Sequence, residues 1–183
     1  MFVYYLKLYI KLTVRYVLKP LSLLPALIMM YLIFNFSAQT GVESSGVSLI
    51  VTEKIVKVYD IVMDKAWDNS MIEAQVERFH GRVRKVAHVT EYFILGFCVA
   101  LPLYVYKVRG IWLIIFAGGF CMAFACLDEF HQSFVAGRSP SKRDVIIDCI
   151  GIFPGVITAQ ILGFIGRKTV FSVLSIEKKI RDR

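Results

Sequence analysis

The chain has 183 residues, 57% of them hydrophobic and 20% charged, with a net charge of +8 at neutral pH. A soluble domain would be nearer half apolar and a quarter charged, so the balance excludes an ordinary soluble protein and points to one compact membrane domain. The positive charge does not mark a nucleic-acid binder, because no zinc spacing or aromatic-basic module accompanies it.

Residues 1–19 place Lys7, Lys11, Arg15 and Lys19 four apart on a segment otherwise rich in Leu, Val, Ile and Tyr. That pattern predicts a basic amphipathic helix at the cytoplasmic surface, attracted to anionic lipid. No A-x-A-like site follows the first apolar run, so an uncleaved anchor is expected. Residues 20–166 form the transmembrane domain, with four predicted spans over about 21–36, 86–106, 111–127 and 145–165. The first is short for a bilayer, and Pro20 and Pro25 mark its entry.

Between the first two spans lies an outer loop, 37–84. It opens with a turn rich in Ser and Gly and continues with apolar residues at helical spacing, Val51, Ile55, Val58 and Val62. Ser70-x-x-Glu73 reads as a capping box that opens a second amphipathic run through Ile72, Val76, Phe79 and Val83. The fold class expected is therefore an all-α membrane protein, four transmembrane helices with N-terminal and extracytoplasmic amphipathic helices. In the last span, Gly151-x-x-x-Gly155 is a small-residue spacing that permits close helix contact, and Pro154 within it invites a kink. The four cysteines all fall inside apolar spans with no C-x-x-C pair, which favours packing over disulfide or zinc chemistry.

Charge distribution sets the expected orientation. With both termini inside, the inner segments, including the basic tail 167–183, carry twelve basic residues against Glu177 and Asp182. The expected topology is N-in and C-in.

Alternating spans bring one set of polar residues to one side, outside the cytoplasm. His88 and Glu91 open the second span, Asp128 and Glu129 close the third, and Asp144 and Asp148 open the fourth. Glu91 lies about five residues inside its span and Asp148 about three, or roughly 5–8 Å below the boundary. Ionisable groups at that depth mark a functional site by default. The depth argues against a midplane transport site. His88 and Glu91, three apart on one helix face, suit acid–base catalysis, joined by Asp128 and Asp144. Lys85 and Arg138 suit an anionic ligand, with Ser37, Gln39 and Gln132 as polar contacts. Glu129 and Asp148, with Asp128 and Asp144, offer oxygen ligands for a divalent cation such as Mg²⁺. Glu91, Asp128 and Asp144 are expected around one cavity with His88 and Arg138. The competing reading is architectural: His88 pairs with Glu91 and Arg138 with an aspartate, locking helix ends together. A bundle could be locked with hydroxyls or amides at less desolvation cost, which favours a site for the set as a whole.

The strings Phe36-Ser37-Ala38-Gln39, Arg84-Lys85-Val86-Ala87-His88-Val89-Thr90-Glu91-Tyr92 and Asp128-Glu129-Phe130-His131-Gln132 resemble the motifs of the VanZ-like family. So does Gly137-Arg138 followed by Asp144, Asp148 and Gly151. Ala38 stands where the family usually has a second Ser, and Ala136 where Pro commonly precedes Gly-Arg; neither departure removes a charged group. The resemblance implies a multi-pass protein of the bacterial cytoplasmic membrane, in a family some of whose members are linked to teicoplanin resistance. It supplies no mechanism. Three functions stay open: an interfacial hydrolase or transferase on a phosphorylated envelope lipid or cell-wall precursor, a non-catalytic binder of a lipid headgroup or lipoglycopeptide tail, and a structural or partner-binding bundle.

Overall fold

A computed structural model describes Tyr5, Tyr9 and residues 19–168. The basic stripe of Lys7, Lys11 and Arg15 and the tail beyond residue 168 lie outside the described residues. Among those described, regular structure is entirely helical. After a single turn at Lys19–Leu21 come α1 (Leu24–Ser37), α2 (Gly41–Val62) and α3 (Asn69–Val105). Then follow α4, running from Ile111 to Gln132 with a π turn at Ile114–Gly118, and α5 (Lys142–Lys168).

Three of these, α3, α4 and α5, are each long and apolar enough to cross a membrane. The first expected span behaves differently. Its helix, α1, has 14 residues, which is about 21 Å against a hydrocarbon core of roughly 30 Å. Only together with α2 is it long and apolar enough to cross, and the two are bent by 108°, as in a broken span or re-entrant loop.

The break between them is chemically defined. Thr40 closes a capping box: its Oγ1 accepts from the Glu43 backbone N–H at 3.3 Å, and Glu43 Oε2 accepts from the Thr40 N–H at 2.9 Å. Thus α2 begins at Gly41, inside the stretch expected to be a turn. A second correction concerns α3. Its cap is Asp68, which accepts from the Met71 N–H at 2.8 Å, and not Ser70, whose hydroxyl donates to Asp68. No break follows it, so the second amphipathic run and the second span are one helix of 37 residues, about 55 Å long. Pro154 likewise sits inside α5 without ending it.

Helix α3 is the spine. Its first half lies beside α2, and its second half packs along α5. The α3–α5 contact is made by glycines. A Cβ on Gly151 would strike the Val89 carbonyl, one on Gly155 the Phe93 carbonyl, and one on Gly96 would come within 2.5 Å of the Ile152 oxygen. Only a hydrogen at these positions lets the two backbones meet. Tyr92, Leu95, Leu113, Cys121, Ile152 and Val156 fill the core, while Leu27, Tyr31, Phe116, Ile146 and Ile161 stay exposed, as lipid-facing side chains would. The cysteines are free, with Cys121 buried in that core.

Candidate functional site

One end of the bundle gathers the end of α1, the α1–α2 turn, residues 83–92 of α3, the end of α4, the α4–α5 turn and the start of α5. The lowest layer is a buried hydrogen-bond network on Asp128, which is 4% exposed. Its Oδ2 accepts from Ser37 Oγ at 2.7 Å, Gln132 Nε2 at 3.1 Å and Tyr92 OH at 3.3 Å. Gln132 Nε2 also donates to Ser37 Oγ at 3.0 Å. Asp128 Oδ1 has no partner. A single carboxylate oxygen therefore joins α1, α3 and α4.

Above this layer, the α4–α5 turn folds back on the α1–α2 turn. The Gly41 N–H donates to the Ala136 carbonyl at 3.0 Å, and a Cβ on Gly41 would strike the Gly137 oxygen. Gly137 itself has φ +74°, a conformation that glycine adopts without strain. Ala136 thus provides the carbonyl this contact needs. The fold-back places Arg138, whose Nε donates to the Gln39 carbonyl at 3.1 Å and Nη2 to the Phe36 carbonyl at 3.1 Å. A cation on the last carbonyls of α1 complements the helix dipole. Burial, reinforced by nearby Arg84, pushes the Arg138 pKa down from the ordinary arginine value, with Asp128, Glu129 and Glu91 pulling the other way. The guanidinium remains charged at pH 7. On the α5 side, Glu129 Oε1 accepts from the Ser141 N–H at 2.5 Å, and Ser141 Oγ accepts from the Arg143 N–H at 3.2 Å.

Two adjacent cavities of about 180 Å³ each open over this framework, and Arg84, His88 and Arg138 line both. Gln39 and Glu91 face the first, among apolar walls from Phe36, Val47, Val51 and Val83. Lys85, Glu129, Gln132, Asp144 and Asp148 face the second. At about 30 Å³ of liquid volume per water, each could hold several waters or a phosphate-sized group. The expected single cavity is therefore divided, and Asp128 lies beneath it, not on its wall.

One of the two expected pairings is present. His88 Nδ1 and Glu91 Oε2 are 3.9 Å apart, within ion-pair distance though beyond hydrogen-bond length. Arg138 meets carbonyls where an aspartate was expected. Apart from His88–Glu91, the ion pair among the described residues is Lys57–Glu53, away from the site. Asp148 is 4% exposed, lines the second cavity, and among the described residues receives no hydrogen bond or ion pair. Among the described residues no three His, Cys, Asp or Glu side chains gather closely enough to hold a metal ion, and Asp128 Oδ2 and Glu129 Oε1 each accept hydrogen bonds from the protein.

Two participants escaped the sequence reading. Tyr92 lies four residues after His88, on the same face of α3 and one turn deeper, where its hydroxyl joins the network; that spacing was the available signal. Arg84 lines both cavities, and its place one turn before His88 on α3 carried the same information.

A family model described as VanZ/LLP1 matches residues 22–163. That interval contains every residue of both cavities and of the buried network. No curated protein and no solved structure matches the chain.

Proposed function

The chain belongs to the VanZ/LLP1 family, and from that premise we propose that it acts on an anionic envelope lipid at the outer boundary of the bacterial cytoplasmic membrane. One observation carries this reading. Arg84 and Arg138 line both cavities, and among the described residues neither has a carboxylate within ion-pair distance. Half-buried guanidiniums without a direct carboxylate contact can take a phosphate, which Arg grips through two parallel hydrogen bonds, while Glu91, Glu129, Asp144 and Asp148 share the same two cavities. Lys85 adds charge at the rim.

Glu91 and His88 face the same space, one turn apart on α3. In a hydrolase or transferase acting on a phosphorylated lipid, His88 and Glu91 would serve as the acid–base pair: one takes the proton of the attacking hydroxyl or water as its oxygen bonds to phosphorus, and the other protonates the leaving oxygen as its bond to phosphorus breaks. Asp128 is then a positioning residue that fixes the helices, and the chemistry needs no metal ligands from this set. The charge distribution supports N-in and C-in with the site outside. Altered headgroup chemistry there would shift susceptibility to teicoplanin, consistent with the family resemblance. A second reading, capture of the headgroup without turnover, is favoured by the 3.9 Å His88–Glu91 contact, which is within ion-pair distance but too long for the hydrogen bond that would pass a proton between them.

Glu91→Gln separates these readings. It keeps size and most hydrogen bonding while removing a charge and a titratable proton. For an enzyme, the variant melts near wild type and loses about 10²–10⁴-fold in turnover on phosphorylated lipid. For a binder, lipid retention and phenotype persist. A melting temperature that collapses, and recovers when His88 is also neutralised, would show the pair to be architectural.

A further inference from the structure

Asp148 is the buried ionisable group that the acid–base reading leaves unused. It is 4% exposed, lines the second cavity, and among the described residues has no hydrogen bond or ion pair. A carboxylate withdrawn that far from water needs a proton or a cation as its partner. The described residues bring no cation into contact with it. Arg138 is turned to the Phe36 and Gln39 carbonyls, and Lys85, exposed at the rim, stays beyond ion-pair distance. Asp144, one turn earlier on the same face of α5, lines the same cavity.

The glycine contacts set the level of these groups. Gly151 lies against Val89 and Phe93, and Gly155 against Phe93 and Phe97, so α3 and α5 run side by side in the same direction. By the same offset, Asp148 stands level with His88, and Asp144 with Arg84. The α5 carboxylates and the α3 groups that line both cavities therefore share one layer at the outer end of the bundle. A headgroup resting there meets both signs of charge without passing any other group.

We propose that the lipid held by Arg84 and Arg138 carries a primary amine beside its anionic phosphate, and that Asp148 and Asp144 hold that amine. The inference rests on the phosphate contact of the reading above and adds the second group that the headgroup bears. In the second cavity Arg84, Lys85 and Arg138 stand with Glu129, Asp144 and Asp148, three cations with three carboxylates. A headgroup bearing phosphate alone brings its charge against those carboxylates, whereas one that also bears an ammonium complements both sets. The lining narrows the kind of amine. A primary ammonium offers three N–H donors to carboxylate oxygens. A quaternary ammonium offers none and is recognised by aromatic faces, and no Phe, Tyr or Trp stands among the described residues that line this cavity. Nor do three His, Cys, Asp or Glu side chains among the described residues gather closely enough to hold a metal ion in its place. Ethanolamine phospholipids are the simplest lipids of this class.

The test is native mass spectrometry of the full-length protein released from phosphatidylcholine nanodiscs that contain a small fraction of one test lipid. Phosphatidylethanolamine should be retained about tenfold or more over its N-acetyl derivative, which keeps the phosphate and chains but blocks the amine. Asp148→Asn, which breaks no hydrogen bond, should abolish that preference without lowering the melting temperature, and should leave phosphatidylglycerol retained over phosphatidylcholine. Asp144→Asn, nearer the surface, should weaken the preference in the same direction. Arg84→Gln should reduce retention of phosphatidylethanolamine and phosphatidylglycerol alike. Equal retention of phosphatidylethanolamine and its N-acetyl derivative, both above phosphatidylcholine, would overturn the amine assignment and leave the phosphate reading standing. So would a preference that Asp148→Asn leaves intact, or one that appears only with Mg²⁺ and so puts a metal at these carboxylates. Absence of any preference for phosphatidylethanolamine or phosphatidylglycerol over phosphatidylcholine would overturn both readings together. Glycerophosphoethanolamine, the same headgroup without chains, should not displace the bound lipid at equal concentration; displacement would assign the site to a soluble ligand and overturn the lipid assignment.

Discussion

Substitutions at Asp128 distinguish an acceptor from a charge. Its Oδ2 is the meeting point of Ser37, Tyr92 and Gln132, with no Lys or Arg among the described residues in ion-pair contact. Asp128→Asn preserves an oxygen at that point. Asp128→Ala removes it and leaves the Ser37 and Tyr92 hydroxyls short of an acceptor; Gln132 keeps its 3.0 Å bond to Ser37. An orphaned buried donor costs about 1–3 kcal/mol. The Tyr92 bond, at 3.3 Å, is the weaker of the two. The expected loss is therefore about 2–4 kcal/mol for Ala and under about 1 kcal/mol for Asn. Thermal unfolding in detergent, followed by helical circular dichroism, measures the difference. At about 2–4 °C per kcal/mol for a chain of this size, Ala should melt several degrees below both Asn and wild type. If Asn and Ala fall equally, the negative charge itself is what the bundle needs, and the account of this layer is wrong.

Gly151→Leu should lower stability by at least about 1–3 kcal/mol through overpacking against Val89 and Phe93, whereas Gly46→Ala, with open space around it in α2, should stabilise by about 0.5–1 kcal/mol in the same melts. Arg138→Lys should lose one of the two carbonyl bonds to the end of α1, costing about 1–3 kcal/mol and weakening retention of anionic lipid more than Lys85→Gln does. In a background lacking the four cysteines, Gln39→Cys, Arg82→Cys and Arg138→Cys should react with an impermeant thiol reagent on intact cells, and Lys107→Cys only after permeabilisation. Labelling of Lys107→Cys alone would invert the orientation.

The helical class and the motif residues at one end of the bundle were legible because apolar periodicity and alternating spans are local properties of a membrane chain. Gly151 and Gly155 were legible as a close contact, although their partner helix was not. The boundaries failed where short-range signals competed. Thr40-x-x-Glu43 caps α2, yet Gly41, Gly46 and the serines around them read as a turn. Ser70-x-x-Glu73 matched the capping pattern, but Asp68, two residues earlier, reaches the Met71 N–H and starts the helix there. Continuity of α3 was hidden because its pattern changes from amphipathic to apolar between Val86 and Phe93, where a span start looks like a helix start. The site's inner logic was the least visible part. Asp128 meets Ser37 across 91 residues and Tyr92 across 36, and Arg138 meets the Phe36 carbonyl across 102. Such partners follow from how helix ends dock, and spacing along the chain cannot reveal that an arginine will choose backbone carbonyls over an aspartate.

The central claim is that Arg84 and Arg138 hold an anionic lipid headgroup beside Glu91 and His88. Native mass spectrometry of the protein released from nanodiscs of mixed phosphatidylcholine and phosphatidylglycerol tests it most directly. The wild type should retain one phosphatidylglycerol in preference to phosphatidylcholine, and Arg84→Gln, which breaks no hydrogen bond in the fold, should abolish that preference without lowering the melting temperature. Equal retention of the two lipids by the wild type, or an unchanged preference in Arg84→Gln, would contradict it.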